Sequence, residues 1–232
     1  NFHITDDELG QGTPKEKFRA NIMAIQLLKK CEEENRNATP DEQEILSRYV
    51  GWGGLADAFD ETKSAWETEY LELKTVLTPE EYAAARASTL NAHYTQPIVI
   101  ESMYQALENL GFTKGNILEP SMGVGNFFGM LPEKLNQSKL YGVELDSISG
   151  RIAKLLYPDA NIQIKGFEKT DYPNDFFDVA IGNVPFGAYK VNDRQYDRYN
   201  FMIHDYFLAK TIDQLRPGGV AALITTKGTM DK

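Results

Sequence analysis

The chain has 232 residues, a net charge of −10, 42% hydrophobic residues and 25% charged ones, the make-up of a globular protein. One cysteine (Cys31) excludes an intrachain disulfide, and three scattered histidines offer no zinc spacing. No apolar run approaches the roughly 18 residues of a membrane span, so the expectation is a cytoplasmic protein with no metal and no membrane partner.

The acidity is uneven. Residues 1–90 carry 10 basic and 18 acidic side chains, residues 91–232 carry 14 and 16. This is not the basic footprint of a free-standing nucleic-acid binder, so any DNA-facing surface has to be local or supplied by other sequence. The chain starts without methionine and stops six residues after an apolar run, Val220–Thr226. It reads as a piece of something longer.

Residues 1–90 are expected to form a helical region. Thr13-Pro14-Lys15-Glu16, Thr39-Pro40-Asp41-Glu42 and Thr78-Pro79-Glu80-Glu81 each put Thr at an N-cap, Pro at the first helical position and Glu where it closes a capping box. Phe18, Ile22, Ile25 and Leu28 recur at helical spacing after the first cap; Ile45, Leu46, Tyr49 and Val50 follow the second. Gly51-Trp52-Gly53-Gly54 then breaks the helix. Trp52 either plugs a core between helices or lies on a loop over a ligand pocket.

From residue 91 to 232 the pattern alternates. Strands are expected at 116–119, 139–145, 162–165, 177–182 and 220–225, with helices at 97–110, 124–131, 147–157 and 200–215. Short apolar strands between helices imply a doubly wound, mostly parallel α/β sheet, here cut short at its C-terminal end. Arg216-Pro217-Gly218-Gly219 reads as a helix stop and a tight turn.

Two loops carry the chemistry. The first strand runs into Glu119-Pro120-Ser121-Met122-Gly123-Val124-Gly125, and Glu144 ends the next strand. A glycine turn between strand and helix admits a ligand to the backbone, and an acid at that offset can hold ribose hydroxyls. Dinucleotide binding would want a third glycine where Phe128 stands, and a pyrophosphate should not meet Glu119. A carboxylate there suits a cationic amine, so S-adenosylmethionine fits better than NAD. The second loop, Gly182-Asn183-Val184-Pro185-Phe186-Gly187, follows the fourth strand. The Asn183 oxygen and the Val184 carbonyl can accept from an exocyclic amine, and Phe186 offers a flat face for a planar substrate. Beside a sulfonium donor, methyl transfer becomes mainly a positioning problem; for donor and acceptor to meet, the two loops have to be neighbours across the switch point, which predicts the strand order 3-2-1-4-5. The bland alternatives are a glycine turn that only packs and a rigid strand-end turn with a core phenylalanine.

These segments, with Ala92-His93-Tyr94-Thr95-Gln96-Pro97, Tyr49–Gly54, Gly142–Ser147 and His204-Asp205-Tyr206-Phe207, resemble the gamma-order N6-adenine DNA methyltransferases. Over residues 14–232 the chain resembles the methylase part of the large methylase–helicase proteins of conjugative elements and phages. The resemblance implies a Rossmann-like core binding S-adenosylmethionine. Tyr94 and Thr95 would meet its methionine end, Glu119, Gly123 and Gly125 its amino-acid and ribose portion, Glu144 the ribose hydroxyls and Glu168 the adenine amine. It further implies that Asn183, Val184, Pro185 and Phe186 hold a flipped adenine. It also implies a target-recognition region and a fused helicase beyond residue 232, and only weak DNA binding by these residues alone. The family pattern has proline where Val184 stands, which keeps the carbonyl but loses rigidity. The same turn serves methylation of RNA bases and of protein glutamine, and a third possibility is a cofactor-binding module that no longer catalyses. The mixed segment Lys190–Arg198 could touch a phosphate backbone or be a solvated loop.

Overall fold

The computed structural model describes residues 1–5, 10–89, 95–229 and 231. Its N-terminal part holds helices α1 (Pro14–Glu33), α2 (Pro40–Ser47), α3 (Glu67–Val76) and α4 (Pro79–Ser88). The three Thr-Pro-x-Glu starts are capping boxes at α1, α2 and α4. At the second, Glu42 N–H donates to Thr39 Oγ1 at 3.3 Å while Glu42 Oε2 accepts the Thr39 N–H at 2.9 Å. Two otherwise orphaned donors are thereby satisfied. Helix α3 was not foreseen. It follows Trp66 with no side-chain cap and buries only Glu69 and Leu73. Tertiary contacts hold it instead: Glu69 accepts an ion pair from Lys15 of α1 at 2.6 Å.

The C-terminal part adds α5 (Pro97–Asn109), α6 (Asn126–Gly129), α7 (Ser147–Leu156) and α8 (Ile203–Gln214), and strands β1 (Asn116–Glu119), β2 (Lys139–Glu144), β3 (Asn161–Ile164), β4 (Phe177–Asn183) and β5 (Leu215–Ile224). The strands form one parallel sheet in the order β3-β2-β1-β4-β5. This is the Rossmann-like, doubly wound arrangement that the strand–helix alternation implies, and its order reverses between β1 and β4.

Three boundaries differ from expectation, each for a backbone reason. Helix α6 starts at Asn126 and not at residue 124, because Gly125 at its N-cap is left-handed (φ 87°), and it ends after one turn at Gly129 instead of reaching 131. Helix α8 starts at Ile203 and not at residue 200, because Asn200 is itself left-handed (φ 56°). Arg216–Gly219 is no separate turn. Leu215 already pairs with Phe177, and Val220 pairs with Val179, so these four residues bulge out of a continuous β5.

One apolar core joins the two parts. Phe18, Ile25 and Leu28 of α1, Trp52, Ile152 of α7 and Ile117 of β1 belong to a single cluster. Polar ties reinforce it: Gln43 Nε2 donates to the Leu155 carbonyl at 2.8 Å, and Arg151 of α7 pairs with Glu32 and Glu81. A second cluster under the other sheet face includes Leu118, Val184, Tyr206 and Phe207. The helices thus brace the sheet on the side where its carboxyl ends open.

Candidate active site

The carboxyl ends of β1, β2 and β4 converge on a cleft of about 250 Å³. Its floor is Glu119, Ser121–Val124, Glu144 and Asn183–Phe186; Tyr49–Trp52 and Ser88 of the helical region wall it. Adjacency of β1 and β4 brings the glycine turn and the Asn183 turn face to face across the switch point.

Glu119 is 2% exposed, and its Oε2 has no hydrogen-bond partner. Burial, and then the neighbouring Glu144, pushes its pKa well above the usual carboxylate range. An unpartnered buried carboxyl is costly unless something else completes it. Glu144 accepts the Gly123 N–H at Oε2 and the Asp146 N–H at Oε1, both at 2.7 Å. Burial raises its pKa to about 7 despite those two donors. Both acids line the cleft, and each has carboxyl oxygen that could accept from a ligand group that donates.

The two glycines differ. Gly123 lines the cleft at φ 57°, and a Cβ there would meet nothing within 4 Å. Gly125 does not line the cleft: at φ 87° a Cβ would stand 2.5 Å from the Tyr157 ring. Gly125 makes the turn and the packing; Gly123 leaves the room.

At β4 the Asn183 side chain donates from Nδ2 to Thr95 Oγ1 at 3.2 Å, while Asn183 Oδ1 is buried without a partner. Thr95 therefore touches the catalytic candidate directly as well as lining the cleft. Val184 is 1% exposed in the second core, and its N–H donates to the Ile224 carbonyl at 3.1 Å. Proline could not make that bond, so valine here extends the β4–β5 ladder by one residue. Pro185 and Phe186 line the cleft beside it.

Of the expected residues, Thr95, Glu119, Gly123, Glu144 and Asn183–Phe186 come together. Glu168 does not. Its carboxylate folds back over Gly166, and it is not among the cleft-lining residues. Tyr94, with Ala92 and His93, lies outside the described residues.

The cleft also holds residues from outside the two loops, and for Trp52 the two readings of the sequence turn out to be compatible. Trp52 is both core plug and cleft wall: it packs edge-on against Phe18, Tyr49 and Phe59 and lines the cavity. Asp146 caps α7 through the Ser149 N–H at 2.8 Å, and both line the cleft. The Asp-x-x-Ser spacing was the one signal available for that pair. Among the described residues no group of three or more His, Cys, Asp or Glu could hold a metal ion, and no helix is long and apolar enough to cross a membrane.

No protein-family profile matches the chain. It is 29% identical over 225 residues to the defense against restriction protein B of Escherichia phage P1, a match covering 93% of this chain and only 8% of the phage protein. Among solved structures it is similar to a protein of Listeria monocytogenes described as a class I S-adenosylmethionine-dependent methyltransferase, at 14% identity and a TM-score of 0.49, over 94% of this chain and 75% of that one. It is also similar to the methyltransferase subunit of a type I restriction-modification system from Streptococcus thermophilus, at 14% identity and a TM-score of 0.45, over 88% and 55%.

Proposed function

We propose that the chain is the S-adenosylmethionine-dependent methyltransferase part of a longer protein and that its acceptor is the N6 amine of adenine in DNA. One observation carries the reading: the unpartnered Oε2 of Glu119 and the unpartnered amide oxygen of Asn183 belong to residues that line one cleft, on adjacent strands. The first suits the ammonium of a methionine moiety, the second an exocyclic amine. When bound, the cofactor supplies an electrophilic methyl on a sulfonium. Glu119 holds its ammonium, Glu144 accepts from its ribose hydroxyls, and Gly123 gives it room. Glu168 is the partner the resemblance suggests for its adenine amine, and reaching it requires the side chain to leave Gly166. Asn183 Oδ1 and the Val184 carbonyl accept from the target amine, Phe186 stacks on its ring, and Thr95 steadies the Asn183 amide.

The DNA acceptor is supported by the resemblance of the Asn183–Phe186 turn and by the names of the phage relative and the restriction-modification neighbour. Transfer of a labelled methyl group to DNA, RNA and protein, using the full-length parent, tests it. Label in N6-methyladenine of DNA is the expected result; label in RNA or glutamine would move the acceptor, and no label with intact cofactor binding would leave a binding module.

A further inference from the structure

The segment that follows the substrate turn is built in two layers. Its inner layer is pinned to α8. Asp193 accepts from the Tyr206 hydroxyl at 2.8 Å and pairs with the buried Lys210 at 3.1 Å. The Tyr196 hydroxyl donates to Asp213 at 2.8 Å, and the Ile203 N–H donates to the Tyr189 carbonyl at 2.9 Å. Asp197 accepts the Asp193 N–H within the loop.

The outer layer is aromatic and cationic. Tyr189 is 45% exposed and Tyr199 51% exposed. Tyr199 stacks on Phe201 with centroids 5.2 Å apart and planes at 17°, and the Arg198 guanidinium lies 4.6 Å over the Tyr199 ring. Lys190 Nζ donates to the Asn200 side-chain oxygen, and Arg198 Nη2 to the Tyr199 hydroxyl. Among the described residues none of Lys190, Arg194 and Arg198 forms an ion pair with a carboxylate, whereas Lys15, Arg19, Lys29, Arg36 and Arg151 elsewhere each do. In a chain of net charge −10, three unneutralised cations on one anchored loop mark a local positive surface. Of the loop's two acids, Asp193 is already spent on Lys210, and Asp197 offsets only one of the three cations, so the loop keeps a positive surplus.

We infer that Tyr189, Lys190, Arg194, Arg198 and Tyr199 form a surface for single-stranded DNA, taking the nucleotides that flank the base held at Asn183–Phe186. Exposed flat rings stack on bases without regard to sequence, and unpaired cations between them meet phosphates. Position supports the same occupant: Tyr189 follows Phe186 by three residues, so a strand whose base stacks on Phe186 continues onto this loop. The inference rests on the proposed function for its choice of strand, but the surface is tested apart from it.

The test is fluorescence anisotropy of a labelled mixed-sequence oligonucleotide of about 12 nucleotides, with the protein and no cofactor, at about 50 mM salt and above. All five residues are exposed and their alanine variants should fold. Tyr189→Ala and Tyr199→Ala should each weaken binding roughly fivefold or more, as expected for a lost stacking platform. Arg194→Ala and Arg198→Ala should each flatten the logarithmic salt dependence by about 0.7, the value for one phosphate on a single strand. Lys114→Ala, just before the amino end of β1, should change neither. The inference is overturned if the tyrosine variants bind like the wild type, if Lys114→Ala matters as much as the loop arginines, or if RNA of the same sequence binds more tightly than DNA. Calorimetry with S-adenosylhomocysteine separates the readings: a wild type that ignores it sinks the methyltransferase assignment, while the anisotropy still judges the loop.

Discussion

Asn21 and Gly51, thirty residues apart in sequence, are joined by a 2.6 Å hydrogen bond from the Asn21 amide to the Gly51 carbonyl. The same side chain accepts the Val50 N–H at 2.9 Å. Asn21 is fully buried on the core face of α1, and Gly51 turns at φ 73°. One amide thus pairs both ways with the backbone that forms the wall of the cleft. Asn21→Ala should cost about 1–3 kcal/mol of stability, because it leaves two half-buried backbone groups unpaired. It should also weaken cofactor binding by loosening Tyr49–Trp52. Urea unfolding and calorimetry with S-adenosylhomocysteine check the two effects separately; an unchanged unfolding midpoint would remove Asn21 as the clamp.

Glu119 should show opposite effects on stability and binding. In the unliganded protein its carboxyl is buried with an unpartnered oxygen, so Glu119→Gln should raise the melting temperature near neutral pH. The same change removes the counter-charge for an ammonium and should weaken S-adenosylhomocysteine binding by roughly 1.5–3 kcal/mol. A variant that melts lower and binds normally would make Glu119 a structural residue.

The pH dependence has a definite sign. Glu144 titrates at about 7 in the folded protein against an ordinary 4.5, and Glu119 is shifted in the same direction. A raised carboxylate pKa contributes stability that is complete below the unfolded value and lost as pH rises through the folded one. The unliganded melting temperature should therefore fall between about pH 4.5 and 7 by this contribution, and Glu144→Gln should flatten the slope. Binding should run the other way. A ligand ammonium needs Glu119 ionised, so binding releases a proton and tightens as pH rises. Titrations in buffers of different ionisation enthalpy would detect that proton.

The two glycines of the first loop should separate. Gly125→Ala puts a Cβ 2.5 Å from Tyr157 at a left-handed φ and should destabilise by about 3 kcal/mol or more. Gly123→Ala meets nothing within 4 Å and should cost about 1 kcal/mol in stability. Its new methyl nevertheless stands in the cleft and should reduce cofactor affinity. Equal melting temperatures for the two variants would contradict this division.

Asn183→Ala should abolish most methyl transfer in the full-length parent while leaving S-adenosylhomocysteine binding nearly intact. Val184→Ala should keep activity, since a carbonyl is all it is asked to supply, but should lose about 1–2 kcal/mol because the side chain is a core residue. Val184→Pro should lose about 1 kcal/mol or more through the missing bond to Ile224. Activity lost equally in Val184→Ala and Asn183→Ala would make the carbonyl assignment wrong.

The sequence by itself determined the sheet, its order and most of its floor residues. Capping boxes, glycine turns and strand-length apolar runs are local signals, and physics reads them locally: Thr39 and Glu42 need only each other, and Gly123 needs only its own backbone. The parallel order β3-β2-β1-β4-β5 followed because the glycine turn and the Asn183 turn had to be neighbours. What the sequence left undecided depends on distant partners. Helix α3 has no cap and is held by Lys15. The four-residue bulge in β5 exists because Leu215 finds Phe177. Glu168 resembles a cofactor contact by position in the chain, yet its rotamer folds it over Gly166. That Trp52 could be core and cleft wall together was legible to neither pattern alone. It required α1 to bring Asn21 to Gly51 and the core to seat the indole beside the carboxyl edge of the sheet. The contacts of Asn21, Lys15 and Leu215 span thirty residues or more, and no local periodicity encodes them; the packed interior decides them, since only there do those side chains share one volume.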